Sequence, residues 1–162
     1  MTAPSATGAA RRRHIVFFGN PLHGDDGFGP AVYERLAARR WPDGVSLSDA
    51  GTAGPTALAL FEGFDEIVVV DASSPAGRPG RIWRPSRDEV FAETVSAGHG
   101  VGVGHLIRCV EATFEPVPAI SFVAVEAAST TSFRMGLSEP VARAVEAVAD
   151  LLLREHGEVA HG

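Results

Sequence analysis

The residues in this chain best suited to chemistry are carboxylates that follow short apolar runs, together with a histidine set among glycines. Asp25 and Asp26 are adjacent in Gly19-Asn-Pro-Leu-His-Gly-Asp-Asp-Gly-Phe-Gly29, directly after Ile15-Val-Phe-Phe18. Asp49 opens Asp49-Ala-Gly-Thr-Ala-Gly54, Asp71 closes Ile67-Val-Val-Val-Asp71, and His99 lies in Ala97-Gly-His-Gly-Val-Gly102. Two carboxylates from separate strand ends plus a neutral imidazole form an O, O, N donor set, which suits a borderline divalent ion such as nickel, zinc or iron(II). Plainer roles compete for the same residues. Asp25 or Asp26 can cap a helix N-terminus, worth about 1 kcal/mol, and Asp49 can close an Asx turn. The single cysteine, Cys109, falls at an apolar position within a helix pattern.

The elements that position these residues are legible as runs. Ile15 to Phe18 reads as a buried strand, the glycines at 19, 24, 27 and 29 as a loop pulled tight, and Val32, Tyr33, Leu36 and Ala37 as a helix face with Pro30 in its first turn. A strand, a glycine-rich turn and a helix also describe a phosphate site. Two acids already occupy the place of the phosphate, and the spacing Gly24-x-x-Gly27-x-Gly29 reverses the dinucleotide fingerprint. After the turn Trp41-Pro-Asp-Gly44, Val45 to Asp49 alternates like a strand, and Pro55 opens a helix bearing Leu58, Leu60 and Phe61. Ile67 to Val70 has the continuous β-branched character of a strand covered on both faces. Arg81-Ile-Trp-Arg84 suits a short edge strand, and a brief helix over residues 86 to 94 starts near Ser86. A helix through Leu106, Val110 and Phe114, a strand from Ile120 to Val125, and a helix capped by Ser138 and carrying Val141, Val145, Val148, Leu151 and Leu152 complete the chain.

This alternation predicts one α/β domain of three layers, with a central, mostly parallel sheet of about five strands and helices on both faces. Ligands bind such sheets outside the carboxyl ends of the strands. Asn20, Asp25, Asp26, Asp49 and Asp71 are therefore expected on one rim, with His23 and His99 in loops beside them. The domain is expected over residues 14–156, between a disordered tail over 1–13 and a short tail over 157–162.

At 162 residues the chain is long enough for one full core. A formal charge of −6 opposes nonspecific nucleic-acid binding, which depends on clustered Lys and Arg. No apolar run approaches the roughly 18 to 20 residues that cross a bilayer. The apolar stretch after Arg11-Arg-Arg13 is too short for an export signal, and one cysteine fits a reducing cytoplasm. Other catalytic templates are absent: there is no Gly-x-Ser-x-Gly elbow and no His-Glu-x-x-His pair.

Gly19 to Gly29, Asp49 to Gly54, Val70-Asp71-Ala72, His99 in its glycine loop and Gly136-Leu-Ser-Glu-Pro140, in that order, resemble the hydrogenase maturation proteases. These endopeptidases remove the C-terminal extension of the large subunit of [NiFe]-hydrogenases once nickel is installed. The resemblance spans nearly the whole chain after the tail, and the first motif is its specific part. It implies Asp26, Asp71 and His99 as nickel contacts, and Asp26, Asp71 or Asp49 as the catalytic acid or base. Asn20, His23 and Asp25 are the implied substrate contacts. Two details depart from the pattern: Asp26 stands where some members have Glu, and Asp49-Ala-Gly51 where Asp-Gly-Gly is common.

The implied partner is a [NiFe]-hydrogenase large-subunit precursor, and the nickel is supplied by that substrate, so the isolated enzyme can be metal-free. Soft thiolates from the hydrogenase and harder O and N donors from the protease would complete one coordination shell, making affinity conditional on the metal. A non-catalytic nickel-binding chaperone or adaptor is the competing reading of the same rim. A nucleotide- or flavin-binding module is a third, and the acid pair argues against it.

Overall fold

Parallel strands covered on both faces read as continuous apolar runs, and three such runs form the centre of the sheet. The computed structural model describes residues 11–96, 103–130 and 133–158. Within them, β1 (Arg13–Phe18), β2 (Val45–Gly51), β3 (Glu66–Ser73), β4 (Ile82–Trp83) and β5 (Ala119–Glu126) form one sheet in the order β2-β1-β3-β5-β4. All pairings are parallel except the short β4, which lies antiparallel along β5 at the edge.

Alternate side chains leave the sheet on opposite faces. Ile15, Phe17, Val68, Val70, Val123 and Val125 pack under α1 (Phe28–Leu36) and α4 (Glu139–His156). Val16, Phe18, Ile67, Val69 and Phe122 pack under a 3-10 helix at Gly54–Phe61 and α3 (Val103–Thr113). The helix α2 (Arg87–Ser96) flanks α3 on this second side. Its start is fixed by a capping box: the Glu89 N–H donates to Ser86 Oγ and the Ser86 N–H to Glu89 Oε1, each at 3.2 Å.

One boundary and one helix type differ from the sequence expectation. The expected tail runs through residue 13, yet Arg13 begins β1. Arg12 donates its N–H to Asp65 Oδ2 at 2.8 Å and stacks its guanidinium on Phe64, while Arg11 pairs with Glu66. Charged residues carry no apolar signal, so their backbone pairing was invisible to a hydrophobic pattern. The segment after Pro55 is a 3-10 rather than an α-helix.

The loop after β1 is held by glycines of two kinds. Gly24 has φ +58°, the left-handed region that favours glycine. Gly29, in α1, has an ordinary backbone, but a Cβ there would lie 2.1 Å from the Phe18 carbonyl oxygen. Gly29→Ala therefore forces α1 away from the end of β1, and we expect a loss of about 1 to 3 kcal/mol in urea unfolding, with the acids displaced. An unchanged unfolding midpoint would show that the helix has room to move.

Candidate functional site

The chain leaves β1 towards β2 on one side and returns to β3 on the other. Between β1 and β3 the sheet thus has a switch point, where loops part and leave a crevice. β3 also outruns β1: the last β1–β3 pair is Phe17 with Val70, whereas β3 continues beside β5 to Ser73. Asp71 consequently stands on β3 just past the end of β1, its side chain on the same face as Val69. A cavity of about 560 Å³ opens there, with Asn20, His23, Asp26, Asp71 and Glu93 on its polar wall and Phe18, Val69, Leu106 and Phe122 among its apolar lining.

The adjacent acids of the first loop part company because Gly24–Gly27 is a 3-10 turn. With three residues per turn, neighbours point about 120° apart. Asp26 faces the cavity, its Oδ2 accepting the Asn20 N–H at 3.0 Å. Asp25 turns the other way and is 1% exposed. Its Oδ1 accepts the Ser138 N–H at 2.7 Å; its Oδ2 accepts the Ala128 N–H at 2.8 Å, the Ser129 N–H at 3.3 Å and the Ser138 hydroxyl at 2.8 Å. Asp25 is expected from the sequence to contact substrate; in the structure its oxygens join the loop after β5 and the start of α4 to the site loop. Ser138 precedes α4 as expected, but its hydroxyl serves Asp25 and makes no cap bond of its own.

Asp49 also leaves the shared site. It pairs with Phe17 and follows Val45 and Leu47 in alternation, so it projects on the α1 and α4 face, opposite to Asp71. It is exposed and its Oδ1 accepts the Gly51 N–H at 3.0 Å, the Asx turn that its setting allowed. His99 lies outside the described residues. Glu93 was missed by the sequence reading; it lines the cavity from α2 and accepts the Ser74 N–H. Only its phase on a weakly patterned helix could have signalled it.

Electrostatically, Asp26 and Asp71 are paired carboxylates in a poorly solvated place. Burial holds Asp71 well above the usual carboxylate range, the charge of Asp26 adds to this and Glu93 adds further, while the Ala72 N–H at 2.8 Å partly opposes it. Burial also raises Asp26, against the Asn20 N–H and the charge of His23. Carboxyls with raised folded pKa values favour the fold while protonated. Their contribution is present below about pH 4, the unfolded value, and is lost as pH rises through the folded values. The stability advantage of Asp71→Asn over the parent should accordingly grow as pH rises from about 4. Parallel urea titrations of the two proteins measure this difference, and a difference independent of pH would refute it.

Chemically, such a pair takes up a proton readily or binds a cation that relieves the repulsion. Among the described residues, no three His, Cys, Asp or Glu side chains are grouped so as to hold a metal ion. The described helices include none long and apolar enough to cross a membrane.

Comparison with known proteins adds an independent line. Residues 30–155 match the family model described as hydrogenase maturation protease. The chain is 32% identical over 162 residues to the hydrogenase expression/formation protein HupM of Azotobacter chroococcum, covering 95% of this chain and 77% of that one. Its structure resembles the hydrogenase maturating endopeptidase HybD from E. coli, with a TM-score of 0.75 at 26% identity, over 89% of this chain and 93% of that one. It resembles equally the [NiFe] hydrogenase maturation protease HycI from Thermococcus kodakarensis, with a TM-score of 0.75 at 25% identity, over 92% and 94% of the two chains.

Proposed function

Because this chain belongs to the hydrogenase maturation protease family and is a peptidase, we propose that it removes the C-terminal extension of a nickel-loaded [NiFe]-hydrogenase large-subunit precursor, using the substrate's nickel as its recognition element. The observation that carries this reading is the convergence of Asp26 and Asp71 on one cavity, both raised by burial and Asp71 further by the charge of Asp26. An ion arriving with thiolate ligands needs only the remaining oxygen or nitrogen donors.

Hydrolysis then asks for a proton acceptor beside the scissile carbonyl. An aspartate of raised pKa suits this, since it takes a proton from the attacking water and returns it to the leaving amine at near-neutral pH. Asp26 and Asp71 would hold the substrate's ion, which would supply Lewis-acid chemistry beside the carbonyl. His99 is the third donor in this proposal, on the strength of the resemblance. His99→Ala should leave the melting temperature near that of the parent and abolish precursor cleavage; normal cleavage at limiting precursor would remove His99 from the site.

The whole reading is tested by mixing the purified protein with nickel-loaded precursor and following mass. Loss of a C-terminal peptide from the loaded precursor, and not from the nickel-free one, is the expected result. Tight binding with no change in mass would instead favour the adaptor reading.

A further inference from the structure

Beside the cavity lies an apolar surface that the cleavage chemistry does not use. Phe133 is 87% exposed, Met135 is 74% exposed and Leu22 is 47% exposed, in a chain whose other large apolar residues are mostly buried. The loops that carry them are joined. Arg134 bridges to His23, the Gly24 N–H donates to the Arg134 carbonyl at 2.6 Å, and the His23 and Phe133 rings lie 6.3 Å apart. Phe133 holds φ +61°, a conformation that non-glycine residues seldom adopt. His23, which lines the cavity, connects this surface to the acids.

We propose that Leu22, Phe133 and Met135 form a docking surface for the polypeptide substrate, receiving apolar side chains of the precursor next to the scissile bond. The inference rests on the proposed cleavage of a protein precursor. A peptidase must hold chain on either side of the bond it cuts, and the surface adjoins His23, which lines the same cavity as Asp26. Exposed aromatic and methionine side chains are the types enriched at protein interfaces. Such a surface adds affinity that does not depend on the metal, and orients the chain before the ion reaches the acids.

The test is the variant Phe133→Asn with Met135→Ser in the full chain. Asn tolerates the left-handed backbone, so the loop keeps its shape. Leu22→Ser approaches the same surface from the other loop and serves if the double variant folds poorly. Val117→Ser is the control, since Val117 is 44% exposed and precedes β5, at the opposite end of the sheet.

With nickel-loaded precursor, KM should rise about tenfold or more in the surface variants with kcat within about twofold, as for a lost contact common to ground and transition states. Phe133→Tyr with Met135→Leu should restore KM. An unchanged KM, or an equal rise in Val117→Ser, overturns the proposal. So does a parent enzyme that self-associates through this surface in sedimentation while the variants dissociate with KM unaltered. If the parent leaves the loaded precursor uncut, the reading beneath the inference fails first, and the inference with it.

Discussion

Asp71→Asn should reduce precursor cleavage by at least about 100-fold, the lower range for loss of a positioned acid or base, while leaving the protein as stable as the parent or more so at neutral pH. The two halves of this result come from one environment. Asp71 is half-buried at the switch point, raised by burial and by the charge of Asp26. Asn has the shape of the protonated acid, keeps an oxygen for the Ala72 N–H at 2.8 Å, and carries no charge to repel Asp26. It cannot take a proton from water. A variant that unfolds at lower urea than the parent would show that the carboxylate supports the fold, and parental cleavage by a folded variant would exclude Asp71 from the chemistry.

Asp25→Asn should show the reverse signature, a loss of about 3 kcal/mol or more in unfolding free energy. Three backbone N–H groups and one hydroxyl converge on this carboxylate. An amide keeps one acceptor oxygen and sets its NH2 in place of the other, so either the N–H groups of residues 128 and 129 or that of residue 138 meet a donor instead of an acceptor. Ser138→Ala removes a single bond and should cost about 1 kcal/mol. Against a typical domain stability of about 5 to 15 kcal/mol the first change is severe and the second modest. Asp26→Asn, one residue along, should preserve stability and lose cleavage. Equal urea midpoints for Asp25→Asn and Asp26→Asn would undo the division of labour between the two acids.

That division marks where the sequence stopped being legible. Ile15 to Phe18 and Ile67 to Val70 announced buried parallel strands, because burial on both faces leaves no polar alternation to confuse the pattern. Asp71 followed from them, at the end of the second run. Asp25 and Asp26 are chemically identical neighbours, and only a turn of three residues assigns one to the scaffold and the other to the cavity. Asp49 was legible in principle: Val45 and Leu47 are apolar at alternate positions, and the same alternation carries Asp49 to their face, away from Asp71. Glu93 had no such clue. Its role depends on how α2 lies across the sheet end, a tertiary fact.

The order of the elements along the chain bears on how the enzyme is born. β1 is made first yet lies inside the sheet, between β2 and β3. Its face beneath α4 is closed only by Val141, Val145, Val148 and Leu152, near the end of the sequence. At roughly 5 to 20 residues per second, a ribosome would leave that face open for several seconds after α1 has emerged. A nascent chain of this kind is a natural client for holding chaperones. The loop that presents Asp26 to the cavity waits as well, since Ser138 supplies two of the four donors that hold Asp25.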